Sequence, residues 1–127
     1  MLKKEVTFKR GEIYIANLNP FVGSEQGGTR PVIVLQNNIG NYFSPTLVVA
    51  PLTSKVKEKK KLPTHYIIQN DEELTDESLV LLEQVKTIDK QRVLRYVGRV
   101  SDEDMEGIEK ALKVSLGMDI PAEIEAP

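Results

Sequence analysis

Gly23-Ser24-Glu25-Gln26-Gly27-Gly28-Thr29-Arg30-Pro31-Val32-Ile33-Val34 joins a polar, glycine-rich loop to an apolar strand through a single cation. Gly27 and Gly28 permit positive φ and a close backbone approach by a ligand. Pro31 sets its own φ and biases Arg30 toward extended backbone. Arg30 therefore stands at the mouth of a strand, behind loop atoms rich in hydrogen-bonding groups. A guanidinium carries a rigid fork of donors, which suits an anion such as a phosphate. The same residues also suit a plain hairpin loop with a surface arginine. This alternation of polar loop and short apolar strand recurs along the chain, and the recurrence decides the fold class.

Upstream, Glu12 to Leu18 is rich in β-branched and aromatic residues and reads as a strand, although its alternation is not clean. Lys9-Arg10-Gly11 is a turn, and Asn19-Pro20 ends the strand. Downstream, Asn37 to Pro45 reads as a loop from its Asn-Asn, Gly-Asn and Ser-Pro pairs. Thr46 to Thr53 is a third strand, in which Pro51 marks an edge, a bulge or an end. A basic loop follows, with Lys55, Lys57, Lys59, Lys60 and Lys61. Further strands are expected at Thr64–Gln69, Ser78–Leu82 and Leu94–Val100. Between them lie an acidic turn over 70–77 and one helical turn at Asp89–Arg92.

Ser101 opens the one amphipathic helix, as an N-cap followed by Asp102, Glu103 and Asp104 where the helix dipole favours anions. Met105, Ile108, Leu112 and Leu116 form its apolar stripe, and Gly117 is its C-cap. The sum is a mainly β (α+β) domain over residues 1–117, a small antiparallel barrel or curled sheet with a C-terminal helix. Residues 118–127 are expected to be a flexible tail.

A chain of 127 residues suits one domain with one real core. It has no Cys, which removes disulfides, thiolate metal sites and cysteine nucleophiles and fits a reducing compartment. No apolar run approaches the roughly 18 residues of a membrane span, and the N-terminus lacks a signal-peptide core, so a cytoplasmic location is expected. The net charge is −2, but residues 1–66 carry +6 and residues 67–127 carry −8. Such a bipolar chain can offer a basic groove to a polyanion and stay soluble.

His65 is the only histidine, and it sits in a strand, where a structural role is the common one. No His pair is available for acid and base work, and no spacing matches a phosphate-cradling or dinucleotide loop. Oxyanion chemistry remains. Arg30, Thr53 and the amides of glycine-rich loops can stabilise developing negative charge.

Several motifs in order then carry a family resemblance. Lys9–Tyr14, Leu18–Pro20 and Val22–Val32 are similar to the N-terminal signature of the MazF/PemK toxins of bacterial toxin–antitoxin pairs. The similarity continues through Gln36-Asn37, Phe43–Thr46, Leu52-Thr53, Leu62–His65, Leu81–Gln84 and Thr87–Arg92, and spans roughly residues 8 to 116. The Gly-Ser-Glu-Gln-Gly-Gly form resembles the chromosomal MazF toxins of Gram-positive bacteria.

The resemblance implies a small SH3-like antiparallel barrel with short helices, a homodimer, and an acidic MazE-like antitoxin as partner. It implies metal-independent, cofactor-free, sequence-specific cleavage of single-stranded mRNA. The family's catalytic arginine falls on Arg30 and its catalytic threonine on Thr53. Ser24, Gln26, Thr29, Asn37, Ser78, Glu83 and Gln84 fall on positions lining the RNA path, and Glu25 is a possible general base. The lysine loop and the tail depart from the family pattern. Two other classes fit a barrel of this kind: a CcdB-like toxin that grips gyrase without catalysis, and a passive RNA-binding barrel.

Overall fold

The computed structural model describes residues 7–56, 62–68 and 77–124. Strand β1 (Glu12–Asn17) leads through the glycine-rich loop into β2 (Thr29–Val34). A short helix α1 (Asn38–Phe43) precedes β3 (Thr46–Thr53). Then come β4 (His65–Ile68), β5 (Ser78–Leu81), β6 (Lys86–Asp89), β7 (Val93–Arg99) and helix α2 (Asp102–Ser115). Among the described residues these strands form one antiparallel sheet in the order β4-β5-β3-β2-β1-β7, with β6 also paired to β3. The expected mainly β fold with a C-terminal helix is what the chain adopts. The lysines at 57–61 and the acidic turn over 70–76 lie outside the described residues.

The imperfect alternation of β1 has a physical cause: both faces of the sheet are buried. Tyr14, Ala16 and Leu18 point into one core with Val32, Val34, Leu47, Val49, Ile88 and Val93. Ile13 points the other way, into a second core with Ile33, Ala50, Leu52 and Val80. Helix α2 closes that second core with Ile108 and Ala111, helped by Met105 and Leu112. Leu116, expected in the same stripe, is instead exposed at the helix C-cap. Ser101 caps the other end, its Oγ accepting from the Asp104 amide at 3.0 Å. Gly117 adopts φ 74°, the left-handed geometry expected just past a helix end.

Pro51 sits inside β3 rather than at its end. Its missing donor falls where β3 changes neighbours, from β6 over Thr46–Val49 to β5 over Leu52-Thr53. The Asn37–Pro45 segment, expected as a loop, contains α1 instead. Asn37 is the reason: its side chain accepts from the Gly40 amide at 2.8 Å and starts the turn. Asn41 then buries its amide, donating to the Gln36 carbonyl at 2.9 Å. The expected tail includes a 3-10 turn over Ala122–Ile124.

Tyr66 on β4 ties the sheet to α2 by donating to Asp104 Oδ1 at 2.7 Å. Burial, then this bond and the charges of Asp104 and Glu103, push its ionisation up from 10.0 to about 12. A raised folded-state pKa means the neutral phenol stabilises the fold. That contribution is complete below pH 10.0 and is lost as pH rises through about 12. In urea unfolding, the stability lead of the wild type over Tyr66→Phe should therefore be constant up to about pH 10 and shrink above it. A lead that persists unchanged to pH 12 would contradict this linkage.

Candidate active site

The β1–β2 loop is pinned at its root before it reaches Arg30. The Leu18 amide donates to the Gly28 carbonyl at 2.9 Å, and the Gly28 amide donates to Asn19 Oδ1 at 2.9 Å. Arg92, from the 3-10 turn Lys90–Arg92, donates Nη1 to the Asn17 carbonyl at 3.1 Å and also to the Asn19 carbonyl. Gly28 takes φ 78°, as its position requires. Gly27 does not have positive φ; its role is close approach, because a Cβ there would lie 1.9 Å from Phe21 Cδ1.

The loop's far side is held by Gln84, in the 3-10 turn Leu82–Gln84. Its Oε1 accepts from the Gln26 amide and its Nε2 donates to the Ser24 carbonyl, both at 3.0 Å. That turn is itself anchored. The Leu82 amide donates to the Thr64 carbonyl at 3.0 Å, and Ser115 of α2 donates to the Leu82 carbonyl at 2.7 Å. Glu83 next to it accepts from Thr64 Oγ1 at 3.1 Å and meets His65 Nε2 at 2.9 Å. The Leu62 amide donates to His65 Nδ1, so the ring proton sits on Nε2 and faces Glu83.

Arg30 lies half-buried at the start of β2, opposite Ala16 of β1. Its Nε donates to the Gly27 carbonyl at 2.8 Å, and Nη1 reaches the Leu52 carbonyl at 3.4 Å. In the β2–β3 ladder Val32 faces Pro51. The ladder ends there, and continuing its register by two residues brings Arg30 opposite Thr53, in keeping with the reach of Arg30 to the carbonyl of the adjoining Leu52. Thr53 is 6% exposed, and its Oγ1 accepts from the Lys55 amide at 3.2 Å, which leaves the hydroxyl proton for a ligand.

Arg30 and Arg92 are both half-buried arginines without a carboxylate partner among the described residues, and of the two Arg30 is the one beside Thr53. Among the described residues the ion pair is Arg10–Glu109 at 2.9 Å, while His65 and Glu83 meet at 2.9 Å through a hydrogen bond from the neutral ring. Among the described residues Arg30 has no carboxylate within ion-pair reach, and its Nη2 has no protein acceptor. A half-buried charge without a counter-ion is costly unless an anion arrives to meet it. A depression between Arg10, Asn38, Arg99 and the start of α2 has, by contrast, its own carboxylates, with Glu109 on Arg10.

Of the residues singled out in sequence, Ser24, Gln26, Arg30, Thr53, Glu83 and Gln84 gather around the loop and its anchor. Ser78 is buried one step from Leu79, the partner of Thr53 in β5. Thr29 is exposed opposite Asn17. Glu25 stays within its own loop, Oε1 accepting from the Val22 amide at 2.7 Å. Asn37 stands apart: it caps α1 beyond the far end of β2 from Arg30. Sequence reasoning missed Phe21, Arg92, Thr64 and Ser115, whose contacts are all long-range or with backbone carbonyls and glycine.

Fold and site together define a small, mainly β protein in which an arginine and a threonine come close at one end of a curled antiparallel sheet. The chain belongs to the PemK-like, MazF-like toxins of type II toxin–antitoxin systems, whose family model matches residues 9–116. It is 50% identical over 111 residues to endoribonuclease EndoA of Bacillus subtilis (strain 168), covering 87% of this chain and 95% of that relative. It superposes on MazF (form I) from Deinococcus radiodurans with a TM-score of 0.78 at 23% identity, over 90% of this chain and 100% of that one. A mycobacterial endoribonuclease in complex with its cognate antitoxin matches with a TM-score of 0.70 at 25% identity, over 91% of this chain and 98% of that one. Among the described residues no helix is long and apolar enough to cross a membrane.

Proposed function

We propose that the protein is a metal-independent, sequence-specific endoribonuclease that cleaves single-stranded mRNA as the toxin of a cytoplasmic toxin–antitoxin pair. The observation that carries the reading is the half-buried guanidinium of Arg30, free of any counter-ion among the described residues and reaching the carbonyl of Leu52, next to Thr53. Membership of the MazF-like family and 50% identity to an endoribonuclease support it.

The ribose 2′-oxygen attacks the adjacent phosphorus as its proton leaves to a base. A 2′-O–P bond forms, the P–O5′ bond breaks, and the 5′ oxygen takes up a proton. The products are a 2′,3′-cyclic phosphate and a 5′-OH. Arg30 stabilises the phosphorane charge, and Thr53 donates to a non-bridging oxygen. A threonine hydroxyl is too weak an acid and base to accept the 2′ proton. Glu25 is the candidate base in the loop, with Oε2 left over after Oε1 has accepted from the Val22 amide. Ser24, Gln26, Thr29, Glu83 and Gln84 shape the RNA path around this centre.

The protein acts as a homodimer and is silenced by an acidic, extended antitoxin segment. A groove built to take a polyanionic strand also takes an acidic peptide, and the two compete.

One assay tests the activity: purified protein with single-stranded RNA in excess EDTA. Cleavage that leaves a cyclic phosphate, and that a 2′-deoxy substitution at the scissile nucleotide blocks, is expected. Binding without cleavage would point to a passive barrel, and gyrase inhibition with no effect on RNA would point to a CcdB-like poison. Either result would overturn the enzyme.

A further inference from the structure

Phe21 is large, apolar and 49% exposed, at the lip of the loop that carries the oxyanion site. Its ring is not loose. A Cβ built on Gly27 would lie 1.9, 2.3 and 2.5 Å from ring atoms Cδ1, Cγ and Cε1. An edge-on approach would leave the two flanking carbons markedly farther away than Cδ1. These near-equal distances put the Gly27 α-carbon over one face of the ring. Gly27 does not cover the opposite face, and the residue as a whole is half exposed. Gly27 is also the residue whose carbonyl holds Arg30 Nε at 2.8 Å. The aromatic ring and the guanidinium are thus both held against Gly27.

We infer that Phe21 is a stacking subsite for an unpaired base of the RNA strand, close to the phosphate held by Arg30. This rests on the ribonuclease reading above. Every nucleobase has a π-face, and single-stranded RNA is gripped by pairing a cationic track for phosphates with aromatic platforms for bases. The chain contains no Trp, and its other well-exposed aromatics lie elsewhere: Tyr42 and Phe43 on α1, Tyr96 on β7. Phe21 alone among them shares the loop with Arg30. The glycine beneath the ring has a matching purpose, since any side chain at position 27 would tilt the platform.

The test uses Phe21→Leu, which keeps an apolar cap on Gly27 but has no π-face, with Phe21→Tyr and Phe21→Trp as rescuing variants. Binding is read by fluorescence anisotropy on an oligonucleotide spanning a mapped cut site, made uncleavable by 2′-deoxy substitution at the scissile nucleotide. Phe21→Leu should bind about 5- to 150-fold more weakly, and Tyr or Trp should restore binding. Replacing bases one at a time by abasic residues should reveal one whose removal weakens the wild type but not Phe21→Leu. Wild-type affinity in Phe21→Leu, or an equal abasic penalty in both proteins at every position, overturns the subsite while leaving the ribonuclease reading intact. A wild-type protein that neither cuts nor binds RNA removes both.

Discussion

Arg30→Ala should lose RNA cleavage by a factor on the order of 10²–10³ or more while folding as the wild type does. The size follows from the work the guanidinium does in the proposed step. It supplies fixed donors to charge that develops on the phosphorane, in a half-buried site where such donors are strongest. The fold should be indifferent, because Arg30 is not part of either hydrophobic core. Its contacts are two carbonyls, those of Gly27 and Leu52, and it has no counter-ion among the described residues whose charge would be orphaned. Arg30→Lys should recover little. One ammonium cannot hold the Gly27 carbonyl, reach the Leu52 carbonyl and still present a planar fork to phosphate. Initial rates on a long single-stranded RNA, with melting temperatures on the same preparations, decide the matter. A folded Arg30→Ala protein that cuts at the wild-type rate would sink the assignment.

The hairpin that bears Arg30 was readable in the sequence because its signals are local: turn residues, a proline, then a β-branched run. The same holds for α2, whose cap, first-turn carboxylates and apolar spacing all fall within a few residues. What could not be read depends on register. The nearness of Thr53 to Arg30 follows from the β2–β3 register, set by packing on both faces of the sheet. Helix α1 escaped because six residues give too little apolar periodicity, although the Asn37-to-Gly40 cap was present in the sequence. Strand β6 escaped because Lys86–Asp89 buries only Ile88. Gln84 illustrates a different limit. The resemblance placed it on the RNA path, but its two amide ends are occupied by the Ser24 and Gln26 backbone. Both descriptions concern one surface, and only coordinates separate the part that holds the loop from the part that faces solvent.

Gly107→Ala should destabilise the protein by about 1–3 kcal/mol, against the expectation for a helix interior. In an unobstructed helix the same change stabilises by about 1 kcal/mol, because glycine has the larger conformational entropy to lose. Here the added Cβ would lie 2.1 Å from Tyr66 Cε1 and 2.8 Å from Cδ1 and Cζ. Retreat is blocked at the adjoining ring carbon, whose hydroxyl is fixed to Asp104 on the same helix at 2.7 Å. The clash must then be relieved by moving β4 away from α2, which opens the core around Ile68 and Ile108. The steric cost exceeds the propensity gain, so the sign is set by Tyr66. That makes the prediction testable by its reversal. In a Tyr66→Ala background the obstruction is gone, and Gly107→Ala should become stabilising by up to about 1 kcal/mol in urea unfolding. The consequence reaches the site as well. Thr64 and His65, at the start of β4, hold both carboxylate oxygens of Glu83. A displaced β4 should therefore slow cleavage in Gly107→Ala at temperatures where the protein is still folded. Equal effects of Gly107→Ala in the two backgrounds would show that the helix backbone, not the tyrosine ring, sets the requirement for glycine.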